Sequence, residues 1–251
     1  MKSCVLIPVY NSEKLIVNVI ESVLQYAENV IVVNDGSTDG TIDVLHSIQA
    51  KNPDKIEIVS YNKNAGKGYA LRKGFDFAES RGFTHVITID ADGQHKGKDL
   101  PKFLEVAAQN PDTLLIGTRN FNNPNMPQGN LFANRFSNFW FTLQTGKKLA
   151  DTQTGFRLYP LKKMNKMRSL TKRYEAELEL LVRSAWRNIK ILPIEIDVYY
   201  PPINERVSFF RPRKDFFRIS VLNTVLCVVA VFYGYPSMFL RKKLGIRRAG
   251  C

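Results

Sequence analysis

Two aspartates, Asp90 and Asp92, stand one residue apart directly after the apolar run at positions 86–89. Such a run predicts a buried strand of a parallel sheet, and Gly93 ends it. Side chains two residues apart point the same way, here at the sheet edge where ligands bind. With the amide of Gln94 they make a set of hard oxygen donors, which suits Mg²⁺ or Mn²⁺ carrying a diphosphate. A solvated Asp-Gly turn is the alternative interpretation of the same residues.

Strand and helix patterns alternate over the first 120 residues, and polar residues follow the end of each predicted strand. This alternation predicts an α/β fold with a doubly wound, mostly parallel sheet and a site along one edge. A dinucleotide-binding turn is excluded because the first turn has no glycine, and the run at 66–68 lacks the other residues of a Walker loop. The predicted strands are 3–9, 30–33, 56–61, 86–89 and 114–118; the predicted helices are 15–25, 41–50, 69–80, 100–108 and 136–143.

Composition is that of a globular protein with a basic end. The chain has 251 residues, which allows one large α/β domain with an appendage or two small domains. Its net charge is +13, and the segment from Arg206 to Arg248 contains ten basic residues and one acidic residue, Asp215. A concentrated basic end favours phosphate-bearing partners or anionic headgroups. Three scattered cysteines make no disulfide framework or zinc site and fit a reducing compartment, and the short apolar start predicts a strand rather than a signal peptide.

Five short motifs occur in one order and spacing. They are Pro8-x-Tyr10, the Asn34-Asp35-Gly36-Ser37-Thr38-Asp39 loop, Asn64-x-Gly66-Lys67-Gly68, Asp90-x-Asp92-Gly93-Gln94 and Asp151-Thr152-Gln153-Thr154-Gly155-Phe156-Arg157. Over roughly residues 3–200 the sequence resembles the inverting family 2 glycosyltransferases, and most closely the dolichyl- or polyprenyl-phosphate mannosyl- and glucosyltransferases. The resemblance implies the GT-A nucleotide-diphospho-sugar transferase fold, which is Rossmann-like, and transfer of a hexose from a nucleotide sugar with inversion.

The resemblance also implies which residues bind the donor. Asp92 and Gln94 are the expected metal ligands, and Asp90 is expected to contact the ribose or to reach the metal through water. Mg²⁺ or Mn²⁺ would neutralise the leaving diphosphate of a GDP-mannose or UDP-glucose type donor. The residues expected around the base and phosphates are Pro8 and Tyr10 as walls, Asp35 at the uracil or guanine edge, and Lys67 at the base or a phosphate.

Arginines are the candidates for the acceptor side, because a guanidinium matches phosphate oxygens with a planar fork. They are Arg119, Arg135 and Arg157, with Arg206 and Ser208 added from a basic loop of the polyprenyl-phosphate relatives. A lipid phosphate is already anionic and needs positioning, whereas a hydroxyl acceptor needs a carboxylate base. The candidate bases are Asp151, Glu175 and Glu177. Relatives with hydroxyl acceptors carry Glu-Asp where this chain has residues 174–177, so the choice of base stays open. Catalysis is thus expected from Asp92, Arg119, Asp151 and Glu175.

Residues 219–240 carry no charge and are flanked by basic clusters. A membrane span needs about 20 apolar residues, but Asn223, Gly234 and Pro236 weaken that interpretation. Three possibilities remain: one span, an interfacial or re-entrant helix, and a buried helix of a soluble domain. A small polar stripe that includes Asn223 and Cys227 predicts packing against another helix. Basic residues beside an apolar segment favour an anionic membrane surface.

The sequence therefore predicts a GT-A catalytic domain at 1–204, with a nucleotide-sugar half at 1–120 and an acceptor half at 121–204, and a membrane-associating tail at 205–251. The expected activity is hexose transfer to a polyprenyl phosphate at the cytoplasmic face of a membrane, with a homo-oligomer possible. A hydroxyl acceptor is the second hypothesis, and a non-catalytic membrane- or nucleic-acid-binding module is the third. The third is disfavoured, and no nucleic-acid partner is expected, because two acids repel a phosphate unless a cation bridges them. Histidines 46 and 85 are predicted to be structural. His95 is close enough to the metal loop to support its ligands, but a solvated side chain is the simpler expectation. Both tryptophans are predicted to pack in the core or at an interface.

Overall fold

The first half of the chain alternates strands and helices as predicted. A computed structural model describes residues 1–121, 126, 128–164, 167, 169–200 and 212–243. Its elements lie within about two residues of the predicted bounds in this half. They are β1 (Ser3–Val9), α1 (Ile16–Leu24), β2 (Val30–Asp35), α2 (Thr41–Lys51), β3 (Ile56–Tyr61), α3 (Lys67–Ser80), β4 (His85–Thr88), α4 (Leu100–Gln109) and β5 (Leu114–Arg119).

The second half is more helical. Its first helix is longer than predicted, because it begins at 128 rather than 136. The elements are α5 (Gln128–Thr145), β6 (Arg157–Pro160), α6 (Leu161–Met164), α7 (Glu175–Trp186), β7 (Ile191–Ile196), α8 (Pro212–Val229), a π-helical turn (Ala230–Gly234) and α9 (Tyr235–Lys243).

Among the described residues, seven strands form one sheet in the order β3-β2-β1-β4-β6-β5-β7. All neighbours are parallel except β6, which runs antiparallel between β4 and β5. The segment that enters β6 therefore lies at the same edge as the segment that leaves β4. This one reversed strand brings residues 151–156 next to the aspartate pair, and sequence patterning did not predict it.

The sheet is covered on both faces, which is why β1, β2 and β4 are buried along almost their whole length and are mostly β-branched and aliphatic. Helices α1, α2 and α4 pack on one face, where Phe103 stacks on Phe156 with ring centroids 4.5 Å apart. Helices α3 and α7 cover the other face. The two faces hold the strand ends rigidly, so that the residues after each strand keep fixed positions.

Helix α8 packs against α5 and α7 along one side only. Leu222, Leu226 and Ala230 are buried there, and Gln144 of α5 donates a 3.0 Å hydrogen bond to the side-chain oxygen of Asn223. Cys227 also lies 3.9 Å from that amide, so the predicted polar stripe does face a helix. The opposite side is apolar and exposed: Phe216, Phe217, Val221, Val225, Val228, Val231, Phe232, Phe239 and Leu240.

By length and composition, the 30 residues Lys214–Lys243 could cross a membrane, with a mean hydropathy of 1.9 over an 18-residue window. Only 17% of that window is buried against the rest of the protein. Within the described residues, the helix is therefore not buried in the way that the third possibility, a core helix of a soluble domain, requires. The predicted boundary between catalytic domain and tail, at 204–205, lies outside the described residues.

Candidate functional site

The aspartate pair lies at the carboxyl edge of the sheet, as predicted. Strand β4 ends at Thr88, and Asp90 and Asp92 follow in a turn that Gly93 closes with a positive φ of 73°. The backbone N–H of Gln94 donates a 2.9 Å hydrogen bond to Asp92 Oδ1. Burial and the negative charge of Asp90 raise the pKa of Asp92 to about 6. A carboxylate with this pKa is one that a nearby cation would stabilise.

Lys67 is the immediate partner of Asp90. Its ammonium lies 2.6 Å from Asp90 Oδ1 and 2.7 Å from Glu177 Oε2. Burial opposes the charge, but the two carboxylates raise the pKa of Lys67 above its ordinary value. Burial would likewise raise the pKa of Asp90, and the ammonium lowers it. The structure thus places Lys67 inside the acid cluster, whereas the sequence prediction placed it on the donor's base or a phosphate.

Two glutamates, Glu175 and Glu177, lie in the first turn of α7, and their contacts differ. Glu177, for which the sequence offered no more than a place among the candidate bases, holds Lys67. Glu175 is buried at 7% exposure, and its Oε2 has no hydrogen-bond partner among the described residues. Glu177 Oε1 is also unpartnered there. The sequence signal was the pair of acids in the first turn of a helix, but only tertiary contacts distinguish them.

Gly155 explains how the loop before β6 accommodates the site. A Cβ at this position would collide with the carboxylate of Asp90. Its carbonyl oxygen accepts a 2.6 Å hydrogen bond from the hydroxyl of Thr88, which ties the loop to the end of β4. The glycine of the fifth motif is therefore required by the close approach of the aspartate.

Arg119 and Asp151 form a two-pronged ion pair. The Nε of Arg119 lies 2.6 Å from Oδ2, and its Nη2 lies 3.0 Å from Oδ1. The carboxylate also accepts the backbone N–H of Gln153, and its side chain is wholly buried. Asp151 is a poor candidate for the predicted base, because its oxygens are already bonded. It instead orients Arg119, whose side chain keeps 12% exposure at the site edge.

Arg157 does not lie where an acceptor could reach it, so this prediction is wrong. Its exposure is 0%, and its guanidinium donates to the carbonyl oxygens of Thr154, Glu177 and Thr152 at 2.7, 2.8 and 2.9 Å. A buried arginine with these bonds ties the β6 loop to α7. It positions the residues around Asp90 and contributes no direct contact to a substrate.

Asp35 is also more buried than a base-binding residue needs to be, at 3% exposure. Its carboxylate accepts hydrogen bonds from Asn64 Nδ2 and from the backbone N–H groups of Ala65 and Gly66, at 3.1, 2.7 and 2.8 Å. It therefore joins the end of β2 to the loop that leads into Lys67. A nucleobase bonded to this carboxylate would share its oxygens with these three donors.

The remaining predicted site residues lie in different parts of the chain. Pro8 is buried near the end of β1, and Tyr10 follows it, partly exposed. Arg135 is exposed on α5. Arg206 and Ser208 lie outside the described residues.

His95 is buried at 8% exposure, so its prediction as a solvated residue is wrong. Its ring packs edge-on against Phe156, and burial lowers its pKa to about 4. His85 Nε2 donates to Pro111 O over 2.7 Å, and Trp186 Nε1 donates to Gln144 O over 2.7 Å. Both of the latter are structural, as predicted.

Beside the acid cluster, a groove of about 810 Å³ runs between the β3–α3 loop and α8. Glu175 lies in its lining together with four cations, which are Lys63, Lys172, Arg173 and Arg218. Arg218 belongs to the apolar tail helix. The groove therefore places positively charged side chains between Glu175 and the tail helix, where they would attract phosphate.

The oxygen donors fit a divalent cation that shares its ligands with a substrate. The described residues contain no cluster of three or more His, Cys, Asp or Glu able to hold a metal. They do offer Asp92, the amide of Gln94 and the second oxygen of Asp90 on one turn. Mg²⁺ is commonly bound by one or two carboxylates plus phosphate oxygens, so this donor set suits a metal–diphosphate complex.

Relatives and solved structures agree with this architecture. The chain is 28% identical over 213 residues to a UDP-N-acetylglucosamine–dolichyl-phosphate N-acetylglucosaminyltransferase of Methanococcus voltae, covering 78% of this chain and 84% of that one. It is 27% identical over 203 residues to the polyprenol monophosphomannose synthase of Mycolicibacterium smegmatis, covering 78% and 76%.

The fold is also that of solved glycosyltransferases. Glucosyl-3-phosphoglycerate synthase of Mycobacterium tuberculosis, crystallised with Mn²⁺, UDP-glucose and phosphoglyceric acid, matches with a TM-score of 0.63 at 17% identity over 91% of this chain and 79% of that one. TarS 1-349 of S. aureus matches with a TM-score of 0.61 at 19% identity over 100% and 74%. The predicted GT-A fold with a C-terminal apolar helix is confirmed. Residues 4–167 match the family described as Glycosyl transferase family 2, and the chain belongs to that family.

Proposed function

We propose that this protein transfers a hexose from a nucleotide-diphosphate sugar to a polyprenyl phosphate, with inversion at the anomeric carbon and with a divalent cation. The observation that carries the proposal is the Asp90–Asp92–Gln94 turn at the carboxyl edge of the sheet. A groove lined by Glu175, by several cations and by Arg218 of the apolar tail helix supports it. The names of the two similar proteins support a lipid-phosphate acceptor. The proposed donor is of the GDP-mannose or UDP-glucose type.

The metal would be held by Asp92 and Gln94, with Asp90 contributing its second oxygen. When bound, Mg²⁺ or Mn²⁺ neutralises the charge that builds up on the leaving diphosphate. The protein's own side chains bind and orient the donor. Pro8 and Tyr10 border the place for the base. Lys67 can pair with a donor phosphate only if its ammonium first leaves one of its two carboxylate partners.

A phosphate acceptor suits this site because it needs no base. Asp151 is bonded to Arg119 and cannot serve as a base without breaking that pair. Arg119, and the cations of the groove, would hold the acceptor phosphate in line with the sugar. The exposed apolar face of α8 and α9, with Lys214 and Arg241–Lys243 at its ends, would rest in a membrane with anionic headgroups, on the cytoplasmic side.

The test is a transfer assay with purified protein, Mn²⁺ or Mg²⁺, a panel of GDP and UDP sugars, and a short polyprenyl phosphate. The expected result is a glycosylated lipid phosphate of inverted configuration with at least one donor, lost with chelator and in Asp92→Ala. Polyprenol without phosphate is the matched control acceptor. Transfer to polyprenol at an equal rate, or full turnover by Asp92→Ala, would refute the proposal.

A hydroxyl acceptor is the second candidate, and the unpartnered, buried oxygen of Glu175 favours it. Such an oxygen could take a proton from a sugar hydroxyl. Glu175→Gln separates the two candidates: turnover with the lipid phosphate stays near normal if the phosphate itself attacks. A loss of 100-fold or so in kcat with unchanged KM would instead point to Glu175 as a base.

A further inference from the structure

Lys67 occupies the place where a cation would neutralise the acid cluster. Its nitrogen reaches one oxygen of Asp90 and one of Glu177 at hydrogen-bond distance, with 16% of its side chain exposed. The ammonium therefore places a positive charge directly beside Asp90, a carboxylate that would also contribute to a metal site with Asp92 and Gln94. A divalent cation at that site would be repelled by the ammonium as long as Lys67 stays in this position.

The surrounding chain holds all three groups in place. Gly155 backs the carboxylate of Asp90, so that this side chain cannot withdraw in that direction. The start of α3 is pinned because Tyr69 N donates to Lys172 O over 3.0 Å. Glu177 keeps a second oxygen that has no partner among the described residues and is available to a ligand.

We propose that Lys67 is an internal counter-ion that makes metal binding depend on the nucleotide donor. Before the donor arrives, its ammonium satisfies Asp90 and Glu177 and repels a divalent cation from the pair. A donor diphosphate adds negative charge, takes the ammonium as a partner and so releases Asp90 toward the metal. Lys67 is thus a positioning residue for an ordered assembly of donor and metal; this inference rests on the proposed function.

The test measures Mn²⁺ binding without any nucleotide, by calorimetry and by the rise in Tm. In Lys67→Met, Asp90 and Glu177 lose their cation, and Mn²⁺ alone should bind at least about tenfold more tightly than to the wild type. The variant should be less stable than the wild type in chelator and should recover with Mn²⁺. In the wild type, tight Mn²⁺ binding should require UDP or GDP.

Arg183→Met is the matched control, because Arg183 pairs with Glu179, another buried carboxylate of α7, at 2.8 Å. Its stability loss should not respond to Mn²⁺. The double variant Lys67→Met/Glu177→Gln should lose most of the gain in Mn²⁺ affinity, because one of the two negative charges that Lys67 neutralises is then absent. If Lys67→Met fails to fold, Lys67→Gln keeps hydrogen-bond donors at this position without the charge and should show the same gain in Mn²⁺ affinity; the absence of any gain in that variant would refute the inference.

The outcomes separate the two proposals. If wild type binds Mn²⁺ with nucleotide and Lys67→Met binds Mn²⁺ alone no better than wild type, the counter-ion role is refuted and the proposed function stands. If wild type binds Mn²⁺ equally well with and without nucleotide, the counter-ion role is refuted as well. If no protein binds Mn²⁺ under any condition, both fall.

Discussion

Replacing Gly155 with alanine should disable the carboxylate pair without changing either aspartate. A Cβ built at this position stands 2.7 Å from Asp90 Oδ1 and 2.8 Å from its Cγ, whereas ordinary contacts begin at about 3.4 Å. The carboxylate must therefore move by more than about half an ångström. The 2.6 Å contact with Lys67 cannot survive such a shift at full strength.

The magnitude follows from that contact. A hydrogen bond to a charged group contributes about 1.5–3 kcal/mol, so we expect the free energy of unfolding to fall by about 2 kcal/mol. Disturbing the contacts that hold a metal ligand in position typically lowers the metal affinity by about 10- to 100-fold. Turnover should fall with Mn²⁺ affinity, and excess Mn²⁺ should restore part of it.

The assay is urea unfolding together with Mn²⁺ titration in the presence of nucleotide. Gly129→Ala is the matched control: Gly129 is exposed in α5, and its added Cβ meets nothing within 4 Å. That variant should gain up to about 1 kcal/mol of stability, with unchanged Mn²⁺ affinity. Wild-type Mn²⁺ affinity in Gly155→Ala would show that Asp90 has room to move and that the close approach is unimportant.

Three further predictions concern burial, pH and the apolar face. Arg157→Met should lower the free energy of unfolding, measured by urea denaturation, by about 3 kcal/mol, because three buried carbonyls lose their donor. The control Arg81→Met removes an exposed ion pair and should cost under about 1 kcal/mol; equal losses in the two variants would contradict this. Asp92 has a folded pKa of about 6, above its ordinary value of 3.8, so the folded state binds the extra proton and this carboxyl's contribution to stability in chelator rises as pH falls from 7 to 4. Asp92→Asn should be more stable than wild type by about 3 kcal/mol at pH 7 and equal to it below pH 4; a constant difference across that range would refute the assignment. Phe232 is 80% exposed, so Phe232→Asp should leave Tm unchanged and should weaken retention on anionic vesicles by about 10-fold or more. Leu226→Asp, on the buried side of the helix, should lower Tm; unchanged vesicle retention of Phe232→Asp would show that this face does not contact the membrane.

The strands and helices of the first half were predictable because their patterns are local. Buried parallel strands read as continuous apolar runs, and each helix between them shows its own periodicity. The position of Asp90 and Asp92 at the strand edge followed from the same logic. The tail was predictable in composition, and its one-sided packing was signalled by Asn223 and Cys227.

The partners of individual charged residues were not predictable, because they depend on long-range contacts. Arg157 lies in a matched motif, and nothing in its neighbours along the chain indicates that it points into the core. Glu177 and Lys67 are more than 100 positions apart, and helical spacing alone did not connect them. His95 has polar neighbours in sequence, yet Phe156 covers it.

By itself, the sequence determined the fold class, the family resemblance and the strand end that carries the two aspartates, since these depend on periodicity and on short motifs. Tertiary structure alone decided how the charges are paired. The antiparallel strand β6, inserted between β4 and β5, brings Gly155 against Asp90 and leaves Arg157 in the core. The physical reason is that a buried charge is stable only beside a partner, and the folded chain determines which partner is near.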